Sequence, residues 1–169
     1  MSAARAVGRV LAARGIDLVY GGGSVGLMGE IADTVLAGGG SVTGVIPEAL
    51  IAAEIAHPRV TDLRVVATMH ERKALMAELS DAFVALPGGF GTLEEFAEAI
   101  TWSQLGLHHK PCALLDVDGF FGPLIAHFDR AVEDGFISPA NRALVVIESD
   151  PGVLLDRLES WKPPSRPNR

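Results

Sequence analysis

Short apolar runs rich in β-branched residues alternate along the chain with stretches of helical periodicity, and this alternation restricts the fold more than any other feature. The strand-like runs are Asp17–Tyr20, Ser41–Ile46, Leu63–Ala67, Ala82–Leu86, Cys112–Asp116 and Leu144–Glu148. Between them, Leu27–Leu36, Met69–Leu79, Leu93–Leu105 and Phe120–Glu133 repeat their apolar side chains at helical spacing, as do Ser2–Arg14 and Pro151–Ser160 at the two ends. Strand, helix and parallel strand make the βαβ unit. The pattern therefore predicts an α/β fold with a doubly wound, mostly parallel sheet and helices on both faces. One element is out of order: such a sheet opens with a strand, whereas this chain opens with a helix, so the usual first strand is missing. Either the sheet is one strand short or the sequence lacks its natural beginning. No linker divides residues 1–161, which are expected to form one domain, with at most a short helix over Ala49–Ile55 in the stretch Pro47–Pro58. The proline-rich end, Lys162–Arg169, is expected to be a disordered tail.

Composition excludes several classes. The 169 residues carry a formal net charge of −7, the wrong sign for a general nucleic-acid binder, which needs a basic face for phosphates. No apolar run approaches the roughly 20 residues that span a bilayer, and Met1–Val10 lacks the apolar stretch of a secretory signal. Cys112 is the only cysteine, which rules out an internal disulfide and a thiolate zinc cluster and suits a reducing, cytoplasmic compartment. The five histidines have no metal-site spacing, so no metal is expected.

Two glycine loops stand at strand-to-helix junctions: Gly21-Gly22-Gly23-Ser24-Val25-Gly26-Leu27-Met28-Gly29 and Pro87-Gly88-Gly89-Phe90-Gly91-Thr92. Glycine permits positive φ and close approach of backbone N–H groups to an anion, and the following helix adds its positive dipole end. Each loop is either a phosphate cradle or a tight packing turn. Neither is followed by the Gly-Lys-Ser/Thr of a Walker loop. Thr92-Leu93-Glu94-Glu95 fits a capping box, which would give Glu95 a structural role; otherwise a carboxylate beside an anion cradle suits the cationic or neutral part of a ligand. Helical phasing puts Arg72 level with Met69, Leu75, Met76 and Leu79 on an apolar stripe. An inward arginine needs a carboxylate or phosphate partner, for which Glu54 is a candidate, unless only its stem is covered and its head reaches water.

The segments Tyr20–Gly29, Met69-His70-Glu71-Arg72-Lys73 and Pro87–Glu95 closely resemble the LOG ("lonely guy") family of cytokinin riboside 5′-monophosphate phosphoribohydrolases, long mislabelled as lysine decarboxylases. The resemblance runs from the opening helix to Ser160. It implies a Rossmann-like fold, a homodimer or larger assembly, a small nucleoside monophosphate as substrate, and no cofactor. It also implies that Arg72 and Glu95 are the catalytic pair. The positions matching Glu54, Lys73, Gly89, Phe90, Gly91, Thr92, Leu93, Glu94, Glu95 and Thr101 would line the nucleotide site, with Gly22, Gly23, Ser24 and Gly26 of the first loop on the phosphate. The chain departs from the family at its front, where a strand and a Cys-Gly-Ser-Ser type of loop are absent.

The reaction so implied is hydrolysis of an N-glycosidic bond, releasing base and ribose 5-phosphate. A second reading is a protein that binds a nucleotide or a molybdenum-cofactor pterin without turning it over, since fold alone does not separate the two. Pyridoxal-dependent decarboxylation has no supporting context at Lys73 or Lys110. On the Leu93–Leu105 helix, Leu93, Phe96, Ala97, Ile100 and Gln104 are expected to pack on the sheet. Trp102 and Leu105 fall outside that face, which predicts a partner subunit over Trp102 or, failing that, cover from its own Leu107–Lys110 loop.

Overall fold

The computed structural model describes residues 1–51 and 56–164, whose packing separates into two compact units, Met1–Ser80 and Asp81–Arg169. The first unit runs α1 (Ser2–Arg14), β1 (Leu18–Tyr20), α2 (Gly26–Ala37), β2 (Val42–Pro47), β3 (Asp62–Val66) and α3 (Met69–Leu79), with a 3-10 turn over Glu48–Leu50. Its strands form a parallel sheet in the order β1-β2-β3, with Leu18 opposite Val42 and Thr43 opposite Asp62. The central strand supplies the core: Val42, Val45 and Ile46 are fully buried, whereas Leu63 and Val65 on the edge strand stay exposed. Among the described residues no strand precedes α1, which packs on α2 instead. Gly8 permits that approach, because a Cβ there would come within 2.8 Å of the Thr34 Cβ. Gly15, left-handed at φ 66, closes α1.

Helix α3 corrects the expected apolar stripe. Met69 and Leu79 are exposed and Leu75 and Met76 only half-buried, while Arg72 is its one buried residue. The helix is set by what the guanidinium can reach rather than by hydrophobic burial.

The second unit runs β4 (Phe83–Ala85), α4 (Phe90–Leu105), β5 (Cys112–Leu115), α5 (Gly122–Glu133), α6 (Pro139–Arg142), β6 (Val145–Glu148) and α7 (Pro151–Glu159), with a 3-10 turn over Val117–Gly119. Its sheet, in the order β4-β5-β6, is also parallel. Ala85, Phe96, Ala99, Cys112, Leu114 and Phe121 form one apolar cluster against which Leu124, Ile125 and Phe128 of α5 pack. Burial pushes the Cys112 thiol up to about 12.

Helix α4 faces inward through Phe96, Ala99 and Ser103, with Ile100 packed on the same cluster; of the expected set Phe96 and Ile100 do face inward, whereas Leu93, Ala97 and Gln104 are exposed. Small residues at 99 and 103 let the helix lie close to the sheet, so side-chain size outweighs hydrophobicity in choosing the face. The short α6 was not foreseen, although Ser138-Pro139 carries its signal. The Ser138 hydroxyl accepts from the Asn141 N–H, and proline occupies the first turn. No helix among the described residues is long and apolar enough to cross a membrane.

Candidate active site

In the first unit the glycine loop leaves β1 buried at Gly21, Gly22 and Gly23. Gly22 has φ 81, a conformation that side chains resist. The loop lies directly on β2, where a Cβ at Gly44 would come within 2.9 Å of the Gly22 Cα. Gly21 has no room for a Cβ because the Arg72 Nη2 occupies that space. Arg72 is only 5% exposed. Its Nε donates to the Val45 carbonyl at 3.1 Å, its Nη2 donates to the Gly21 carbonyl at 3.1 Å, and its Nη1 lies 3.8 Å from the Met69 sulfur. A guanidinium does not discharge on burial, so it must be met by oxygens; here main-chain carbonyls meet it. The expectation of a head reaching water is thereby corrected. Lys73 beside it is half-buried, and Glu54, expected as a partner, lies outside the described residues.

The loop continues through Ser24, half-buried, to Val25 and Gly26, both exposed, where α2 begins without a side-chain cap. A Cβ at Gly29 would strike the Ser24 carbonyl. Helix α3, by contrast, is closed by side chains. Thr68 Oγ1 accepts from the Glu71 N–H at 3.1 Å, and Glu71 Oε2 accepts from the Ala67 N–H at 2.9 Å. This reciprocal cap at Thr68-Met69-His70-Glu71 went unread in the sequence, where the same spacing was placed instead at Thr92–Glu95.

In the second unit α4 begins three residues earlier than expected, at Phe90, with Gly89 at the cap position and no side-chain cap. Thr92 therefore lies inside the helix and Glu95 in its second turn, so the capping-box role of Glu95 falls away. Thr92 has a different neighbour: a Cβ at Gly88 would strike its Oγ1. Gly89, Phe90, Gly91, Leu93 and Glu94 are exposed, Phe90 at 93%, and Thr92 and Glu95 are half-buried. Gly89 through Glu95 thus form one contiguous patch on the first two turns. Thr101 lies roughly 9 Å further along the axis, exposed, its hydroxyl donating to the Ala97 carbonyl at 2.7 Å.

Two buried polar groups near the first loop were not singled out from the sequence. His57 is 4% exposed, and its ring is 3.2 Å from the Asp33 carboxylate. The buried Tyr20 hydroxyl has no hydrogen-bond partner among the described residues, and burial, with the Asp33 charge, pushes its phenol up.

Glycine loops at the carboxyl ends of parallel strands, each opening a helix, define a Rossmann-like α/β protein. The molybdenum cofactor binding protein of Rippkaea orientalis has the same fold, with a TM-score of 0.70 at 23% identity over 93% of this chain and 84% of that one. The molybdenum cofactor carrier protein of Chlamydomonas reinhardtii has a TM-score of 0.65 at 25% identity over 94% and 86%. The family model described as "Possible lysine decarboxylase" matches residues 28–158. A rice protein (Oryza sativa subsp. japonica) named as a probable cytokinin riboside 5′-monophosphate phosphoribohydrolase is 56% identical over 90% of this chain and 72% of its own length. An Arabidopsis thaliana protein named as a cytokinin riboside 5′-monophosphate phosphoribohydrolase is 52% identical over 93% and 73%. The chain belongs to this family, that of the LOG phosphoribohydrolases.

Proposed function

We propose that the protein hydrolyses the N-glycosidic bond of a nucleoside 5′-monophosphate, a cytokinin riboside 5′-monophosphate foremost, to the free base and ribose 5-phosphate. The named activity of relatives more than half identical in sequence supports this reading. The single structural observation behind it is the seating of Arg72 on Gly21, which couples two of the three family-like segments and fixes a permanent positive charge at a glycine loop.

In this reading the helix-start N–H groups of α2, which no side chain caps, receive the 5′-phosphate. As the C1′–N bond breaks, its electron pair leaves with the base, which takes up a proton, and positive charge develops on the ribose. The Glu95 carboxylate stabilises that charge and accepts a proton from the water that attacks C1′. Arg72 anchors phosphate or ribose and offsets charge on the leaving base, while Lys73, Glu54 and Thr101 complete the surroundings. No metal or redox cofactor enters. The protein works as a cytoplasmic homodimer, with Trp102, half-buried beside the exposed Leu105 and Leu107, at the subunit contact.

The test is incubation of the purified protein with AMP and with isopentenyladenosine monophosphate, followed by chromatography. Free base and ribose 5-phosphate in equal amounts are expected. Binding of either nucleotide without base release refutes the hydrolase and favours a carrier.

A further inference from the structure

We propose that His57 and Asp33 are a positioning pair for the first glycine loop, keeping it in the shape that receives the substrate's phosphate; this rests on the hydrolase reading above. The imidazole is held at both nitrogens. Its Nδ1 accepts from the Arg59 backbone N–H at 3.2 Å, which leaves the ring proton on Nε2, and Nε2 donates to Asp33 Oδ1 at 3.2 Å. The main chain of the same residue holds the loop: the His57 N–H donates to the Gly22 carbonyl at 2.9 Å, and Ala56 bridges antiparallel to Gly23. One residue therefore bonds the loop through its main chain and Asp33 through its ring.

The need for such a clamp follows from the loop's composition. Consecutive glycines have no intrinsic stiffness, so their shape must be imposed by neighbours. Arg72 on α3 holds the Gly21 carbonyl and His57 holds the next one, Gly22. Asp33 belongs to α2, the helix into which the loop runs, so the pair ties the loop to the helix that follows it. Asp33 also pairs with the Arg59 guanidinium, which fixes the carboxylate in turn. With both carbonyls bonded inward, neither peptide can flip without breaking a bond. The expected effect of losing the clamp is weaker binding of the phosphorylated substrate, with the chemistry of the bound state largely intact.

The experiment uses the full chain with H57A, H57Q, D33A and the double variant H57A/D33A. Amide hydrogen exchange over residues 20–24 reads the loop without substrate, and KM and kcat for isopentenyladenosine monophosphate read its use. H57A is expected to speed exchange there at least tenfold and to raise KM at least tenfold with kcat within threefold. H57Q, whose amide replaces the Nε2–H donor, is expected within threefold of wild type on both. D33A is expected to match H57A, and the double variant to be no worse than either, as for two residues of one unit. Asp33 is half-exposed, so D33A and H57Q decide the matter if H57A fails to fold. Unchanged loop exchange and KM in D33A, or a fall in kcat alone, overturns the proposal. A wild type that turns over no nucleotide defeats the hydrolase reading instead, and the exchange data still decide whether the pair holds the loop.

Discussion

Glu95 and Arg72 carry the same chemical expectation but rest on different physical supports. With α4 capped at Gly89, the Glu95 carboxylate closes no helix end, so Glu95→Gln should leave the melting temperature within about 2 °C while lowering kcat/KM by roughly 10²–10⁴-fold, the usual worth of a positioned acid–base group. Retained activity with a lowered melting temperature would return Glu95 to a structural role. Arg72 is different, because its guanidinium satisfies two buried carbonyls, at Gly21 and Val45. Arg72→Ala strands both, at about 1–3 kcal/mol each. Urea midpoints should therefore fall in the order wild type, Arg72→Lys, Arg72→Ala, with activity falling in the same order, since a point charge poorly replaces a planar fork. Equal midpoints for wild type and Arg72→Ala would contradict the clamp. The inward position of Arg72 was expected from helical phase, although the apolar residues Met69 and Leu79 that set that phase stay exposed. Its partner was not: Gly21 lies 51 residues away, and only the folded chain shows that this glycine is small because a guanidinium needs the space.

At the scale of elements, two Thr-x-x-Glu segments had equal claims on the sequence to open a helix. What precedes each one decided between them. Ala67 follows directly on β3, so Thr68 caps α3, whereas Gly88-Gly89 let α4 begin early and draw Thr92 inside. Apart from the short α6, helix and strand identities were legible from periodicity, a buried strand such as β5 being a continuous apolar run. The inward face of α4 was legible only in part, through Phe96 and Ile100, because the small Ala99 and Ser103 complete it.

The connection after α4 carries a pH dependence. The His108 Nε2 donates to the Ala99 carbonyl at 3.0 Å while its Nδ1 accepts from the Lys110 N–H at 3.1 Å. Burial foremost, then the charges of Lys110 and His109, hold its value below the ordinary 6.5, against the Ala99 carbonyl, which raises it. The unfolded chain therefore takes up this proton first, so stability rests on the neutral ring and is lost as pH falls below about 6.5. His108→Gln should flatten the decline of the urea midpoint between pH 7 and pH 5. An identical decline in both proteins would contradict it.

For the whole molecule, the proposed dimer draws on apolar side chains that the chain leaves open. Leu105 is 64% exposed and Leu107 70% exposed, with Trp102 half-buried beside them, more apolar surface than a helix end ordinarily gives to water. Light scattering should find a dimer for wild type and a monomer for Trp102→Glu. A monomeric wild type would contradict the assembly, and an intact mutant dimer would move its interface elsewhere. How the six strands divide into two three-stranded sheets was not legible in the sequence, because strand neighbours are chosen by contacts between distant residues. The proposed phosphate site is the first glycine loop, which would hold a 5′-phosphate while the glycosidic bond is hydrolysed. It is tested most directly by comparing kcat/KM for isopentenyladenosine monophosphate with that for the riboside lacking the phosphate. Charge-assisted contacts at that helix start, at about 1.5–3 kcal/mol, predict a preference of at least roughly tenfold for the monophosphate. Equal turnover of the two would contradict the account.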